Sequence, residues 1–200
     1  MKIFLTLISI FILSWCTQTK APKLPQEVTF SSWSIAYIFP INSGEKSATL
    51  PSTNIGVAVR IWPHQLLTTA HTLIDTKQNY RVRDASNRTC DIINQWKHPS
   101  QDLLRIEIYG SCTGESLDIA LHKINENTVT IWQDHALLSC VLLEKNATEA
   151  KTDCRFLPGM SGSPVMEAQG KLLWLIKGTD EKQGYLLLFD KEIYTWIKGQ

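Results

Sequence analysis

Three short stretches of this sequence hold residue types that together could activate an oxygen nucleophile. LLTTAHTL (66–73) carries His71 at the end of an apolar run, SLDIALHKI (116–124) opens one with Asp118, and LPGMSGSPV (157–165) sets Ser161 between Gly159 and Gly162. A serine hydroxyl is a poor nucleophile at neutral pH unless an imidazole accepts its proton as the new bond forms and later returns it to the leaving group. A carboxylate on the far side of the imidazole fixes its tautomer and stabilises the cation. Alone, the first two stretches are ordinary: a histidine beside a strand is most often packed or solvated, and an aspartate before a strand is common turn chemistry. The serine stretch says more, because its glycines, with Pro164 behind them, ask for a turn that only small residues permit.

Some framework must bring these residues together, and runs rich in β-branched and aromatic residues recur between turn residues along the whole chain. They fall at 28–39, 56–62, 65–70, 80–84, 89–96, 103–110 and 119–124, then at 128–132, 136–144, 163–167, 171–177 and 185–189. This spacing predicts an all-β sandwich or barrel. Only the end reads as helix, with Asp190 as N-cap and Ile193, Trp196 and Ile197 on one face.

Composition removes several function classes. The 200 residues are 44% hydrophobic and 20% charged, inside the soluble globular range. Twenty Lys and Arg against 19 Asp and Glu give a net charge of +1, and no basic block marks a nucleic-acid surface. Five scattered histidines show no metal-ligand spacing, so neither a metal nor another cofactor is expected.

Residues 2–15 place Lys2 before an uncharged apolar run, shorter than the roughly 20 residues that span a bilayer. Residues 1–16 therefore read as an export signal and the polar stretch 17–27, with its two prolines, as a linker. ILSWC followed by that polar stretch resembles a bacterial lipoprotein signal in which Cys16 would be lipidated, although Trp15 stands where a small residue is expected. The expected location is thus secreted, periplasmic or lipid-anchored at the envelope through Cys16. Cys90, Cys112, Cys140 and Cys154 remain, an even set in an exported chain, so two disulfides are expected. Three pairings are open; 90–112 with 140–154 keeps each bridge in one half of the chain.

In the order His, Asp, Ser, the three motifs resemble those of the chymotrypsin-like (trypsin-fold) serine endopeptidases, and the resemblance covers nearly all of 28–200. TTAHTL looks like the histidine motif, DIALHKI like the aspartate motif and GMSGSP like the serine motif. LLWLIKG (172–178) is similar to the strand lining the substrate cleft, and YLLLFDKEIYTWIKG to the last strand and C-terminal helix. The resemblance implies two six-stranded antiparallel β-barrels, one over 28–124 with His71 and Asp118, the other over 125–200 with Ser161 and the helix. It implies a protein or peptide substrate, catalysis by His71, Asp118 and Ser161, and an oxyanion hole from the backbone N–H groups of Gly159 and Ser161. The rival role is a catalytically inactive binding protein that keeps this fold.

Two departures carry consequences. Met160 replaces the aspartate that holds a newly cut N-terminus in zymogen-activated members, so no activation by N-terminal cleavage is expected and packing must hold the oxyanion loop. Only 43 residues separate Asp118 from Ser161, so the second barrel must be compact, with 145–158 serving as both connection and strand. By the same resemblance the primary pocket is lined by Arg155, Ile176, Lys177 and Gly178. Two cations there would favour an acidic side chain before the scissile bond, unless both point to solvent.

Overall fold

The computed structural model describes residues 34–41, 54–73, 79–120, 127–133, 136–167 and 170–199. The export segment, Cys16 and the linker lie outside these residues. Six antiparallel strands close the first barrel: β1 (Ile35–Ile41), β2 (Gly56–Trp62), β3 (Gln65–Thr68), β4 (Asn79–Asp84), β5 (Thr89–Lys97) and β6 (Leu104–Gly110), in the order β1-β2-β3-β6-β5-β4. Six more close the second: β7 (Thr128–Gln133), β8 (Ala136–Lys145), β9 (Glu149–Thr152), β10 (Pro164–Met166), β11 (Leu172–Thr179) and β12 (Gly184–Leu188), in the order β10-β11-β12-β9-β8-β7. The protein is all-β with one short helix, α1 (Lys191–Lys198).

Side-chain alternation explains the barrels. On β6, Leu104, Ile106 and Ile108 are buried while Arg105 and Glu107 are half-exposed, the period-2 pattern of a strand with one covered face. β2 is buried on both faces. Its Ala58 packs with Ile38, Leu66 and Ile106 inside the first barrel, whereas Val57, Val59 and Ile61 join a core shared with Val165, Leu173 and Leu175 of the second. β2 is therefore the wall between the two barrels.

The second barrel is compact because its elements are short: β9 has 4 residues and β10 has 3. β8 runs on to Lys145 and β9 follows after a tight turn in which Asn146 accepts N–H groups from Thr148 and Glu149. Of the run expected at 119–124, Ile119 makes only an isolated parallel bridge to Leu172, and 121–124 lie outside the described residues. Cys90 is bonded to Cys112 and Cys140 to Cys154, one bridge in each barrel.

α1 fastens the end of the chain to the first barrel. Asp190 caps it by accepting the Ile193 N–H, and Gly199, left-handed at φ 73°, closes it. Ile193 and Ile197 are buried, and Arg105 of β6 donates to the last-turn carbonyl of Ile197 at 3.1 Å.

The tightest joint lies at Gly162. Its φ of +87° is a left-handed conformation, and a Cβ there would overlap Val57 O and Thr68 Oγ1 of the first barrel. Gly162→Ala should therefore lower unfolding free energy by about 2–5 kcal/mol, combining left-handed strain with overpacking. Chemical denaturation measures this, and a loss below about 1 kcal/mol would contradict the steric account.

Candidate active site

His71 lies on a 3-10 turn, Ala70–Leu73, directly after β3. The Ala70 N–H donates to Asp102 O at 3.2 Å, so this turn is stitched to the tight loop between β5 and β6. That loop is organised by His98, only 2% exposed, whose Nδ1 accepts the N–H groups of Ser100 at 3.3 Å and Gln101 at 3.1 Å. The next residue is Asp102, and both of its oxygens reach His71: Oδ1 accepts the backbone N–H at 2.9 Å, and Oδ2 lies 2.6 Å from Nδ1. On the other side of the ring, Nε2 is 2.9 Å from Ser161 Oγ. With Nδ1–H donating to the Asp102 carboxylate, Nε2 is left as the acceptor for the serine proton.

Burial alone would raise the Asp102 carboxyl, but its hydrogen bonds to His71, the ring's charge and the cation of Lys177 outweigh burial and hold it below its ordinary value. It is therefore ionised wherever ordinary carboxylates are, as a partner for an imidazolium must be.

The structure brings His71 and Ser161 together and does not bring Asp118 to them, which corrects the assignment of the aspartate. Asp118 is exposed, in the connection between the barrels. Its carbonyl accepts the Leu172 N–H at 2.8 Å and the Ala120 N–H donates back to Leu172 O, so this backbone is tied to β11 of the second barrel. Asp102 takes the place beside His71. QDLLRIEIY offers the same signal, an aspartate opening an apolar strand, and the short interval from Asp118 to Ser161 was the clue against the later one.

The serine loop is fixed on three sides. The Val57 N–H of β2 donates to Ser161 O at 2.8 Å, the Gly162 N–H to Ile176 O at 2.8 Å, and the Ile176 N–H to Ser163 O at 2.8 Å. Met160 is buried in the shared core, 6% exposed. Asn54, which the sequence did not single out, donates its Nδ2 to Gly159 O at 2.9 Å. Gly159 is left-handed at φ +82°, and a Cβ there would stand 2.8 Å from Asn54 O. With the Gly159 carbonyl drawn to Asn54 and the Met160 N–H donated to Leu157 O at 3.2 Å, the N–H groups of Gly159 and Ser161 donate to nothing among the described residues. Two such free donors beside a nucleophile can receive a developing oxyanion.

The residues expected to line the pocket separate. Ile176 is buried, with its backbone spent on the serine loop. Lys177 lies at a bulge of β11, its carbonyl 3.2 Å from Ser161 Oγ and its ammonium paired with Glu149. A Cβ at Gly178 would meet nothing within 4 Å, so open space lies beside it. Arg155 is exposed and makes no ion pair among the described residues, whereas Lys177 is paired. Asp153 lies near Cys140 and Cys154, but sulfurs joined in a disulfide offer no thiolate to a metal.

No protein-family model matches the sequence, and no curated protein sequence is similar to it. Solved structures are. The serine protease of a human pathogenic astrovirus superposes with a TM-score of 0.61 at 14% identity, over 82% of this chain and 94% of that one. The HtrA-type protease AlgW, solved with a decapeptide, gives 0.64 at 14% identity, over 86% of this chain and 65% of its own. The fold is that of the trypsin-like serine proteases. The first barrel holds His71 and Asp102 and the second holds Ser161.

Asp102→Asn should lower kcat about 10⁴-fold through loss of the working tautomer. Asp118→Asn should leave it within about twofold; equal effects in steady-state assays would reverse the assignment. The lowered Asp102 carboxyl contributes stability in full above its unfolded value of about 3.9, and that contribution is lost as pH falls through the folded value. Denaturation from pH 5 to pH 2 should show Asp102→Asn losing this acid-side dependence. Asn54→Ala should lower kcat about tenfold with KM within about twofold, since one hydrogen bond to the loop acts through the oxyanion donors. A change confined to KM would remove Asn54 from that role.

Proposed function

We propose that this chain is an exported serine endopeptidase that hydrolyses peptide bonds through an acyl-enzyme. The observation that carries this reading is the unbroken line from Asp102 through His71 to Ser161, at 2.6 and 2.9 Å, beside two free backbone N–H groups. In the first step Ser161 Oγ bonds to the substrate carbonyl carbon while its proton passes to His71 Nε2, and the carbonyl oxygen becomes an anion held by the N–H groups of Gly159 and Ser161. His71 then gives that proton to the leaving nitrogen, the C–N bond breaks, and the acyl group remains on Ser161 as an ester. Water repeats the sequence: its oxygen adds to the ester carbon, its proton goes to His71 and then to Ser161 Oγ, and the acid is released.

Met160, buried in the shared core, is itself no carboxylate and cannot hold a new N-terminus as an ion pair. With Asn54 holding the loop, this supports an enzyme that is active without N-terminal cleavage. Two disulfides support an extracytoplasmic location, and attachment through a lipidated Cys16 is part of the same proposal.

The deciding experiment is the intact mass of residues 17–200, with disulfides formed, after treatment with a fluorophosphonate. One adduct on the parent, and none on Ser161→Ala or His71→Ala, is the expected result, with peptide hydrolysis reduced about 10⁶-fold in either variant. A folded, monodisperse parent that takes no adduct would favour an inactive binding protein of this fold.

A further inference from the structure

The serine-protease reading leaves open what residue precedes the scissile bond, and the structure limits it. With the acyl carbon on Ser161 Oγ and its oxygen at the N–H groups of Gly159 and Ser161, the substrate backbone must pass along β11 beyond Lys177, where the space beside Gly178 is open. On the serine-protease reading, the side chain of that residue would enter beside Gly178, between the end of β11 and the segment 154–158, which leads into the serine loop. Thr179 at the end of β11 pairs with Gly184 at the start of β12, so Gly184 forms the inner wall of this slot.

That wall is covered. A Cβ on Gly184 would overlap Cε2 of Phe156 and stand 2.6 Å from both Phe156 Cζ and Cys154 O. Phe156 is 4% exposed and belongs to the shared core, and the Cys140–Cys154 disulfide anchors the segment that carries it. The slot therefore ends on an aromatic ring. Charge gives the same restriction: Arg155 is exposed, and the Lys177 ammonium is already paired with Glu149. A charged side chain would meet an apolar floor that offers it no hydrogen-bonding partner.

We propose that Phe156 determines specificity by closing this pocket, and that the enzyme cleaves after small uncharged residues, namely glycine, alanine and serine. The inference rests on Ser161 being the nucleophile, so the test must separate the two. One portion of the oxidised parent is treated with fluorophosphonate to establish labelling, and a separate, untreated portion is assayed on a peptide library that varies only the residue before the scissile bond. Expected is cleavage after alanine at least tenfold faster, in kcat/KM, than after phenylalanine, glutamate or arginine. Phe156→Ala should raise cleavage after phenylalanine or leucine at least tenfold. Because truncating a buried aromatic can unfold the barrel, Phe156→Val is assayed beside it, and thermal melting verifies both.

A parent that takes the label in one portion and, in the untreated portion, cleaves after large or charged residues as well as after alanine, or cleaves no member of the library, overturns the pocket assignment. So does a folded variant at Phe156 whose preference is unchanged. A parent that takes no label overturns the serine-protease reading instead.

Discussion

The candidate site depends on the seating of one loop of the second barrel against one strand of the first. Ser161 comes from the second barrel, whereas His71 and Asp102 belong to the first, so their alignment is set by how the barrels register. That register is fixed at the loop itself: β2 donates the Val57 N–H to Ser161 O, and β11 grips Gly162 and Ser163 from behind. Gly162 makes the close approach possible, because no side chain fits between it and Val57 O. A shift of about 1 Å at this joint would break a 2.9 Å contact between Ser161 and His71, and misplacement on that scale can cost about 100-fold in rate. Burial of β2 on both faces and the clamp of α1 on β6 restrain the same register from farther away.

Within the first barrel, orientation is passed along backbone contacts rather than through bulk packing. His98 accepts two N–H groups with the same nitrogen, which requires Nδ1 to be unprotonated and fixes the shape of the turn just before Asp102. Asp102 then holds both the main chain and the ring of His71, so its direction is over-determined. The ring itself is 38% exposed, which leaves it accessible to substrate and solvent, while its partner carboxylate is more sheltered at 23%. Sheltering would ordinarily favour the neutral acid. Here two hydrogen bonds and nearby positive charge reverse that preference, so the aspartate stays charged where it faces the His71 ring.

Much of this was legible in the sequence because it is written in local patterns. Alternating apolar runs marked most strands, Asp190 marked the start of the helix, and the glycines around Ser161 announced a turn. The aspartate was not legible, because Asp102 and Asp118 each precede an apolar run and only long-range pairing separates them. Leu104 of one run pairs with Thr68 beside the histidine turn, whereas Ile119 of the other bridges to Leu172 in the second barrel. β9 was expected only as a strand somewhere within 145–158, without bounds, because Glu149–Thr152 is short and mostly polar and is stabilised by its neighbours β8 and β12 rather than by its own propensity. Asn54 and Phe156 carry no motif at all. Their positions follow from contacts 105 residues apart for Asn54 and from a glycine across the barrel for Phe156, and no local rule reports such contacts.

The oxyanion loop shows how one substitution changes the physics of a shared fold. A carboxylate next to the nucleophile would need a cation to hold it, and folding such a charge without one would be costly. Met160 avoids that dependence by adding its side chain to the shared core, where burial acts as soon as the barrel folds. Burial alone does not fix the direction of the Gly159 carbonyl, which must turn away for its neighbouring N–H groups to serve as donors. Asn54 supplies that direction with a neutral hydrogen bond from the first barrel. Packing from one barrel and polarity from the other then replace a salt bridge, and folding itself organises the donors.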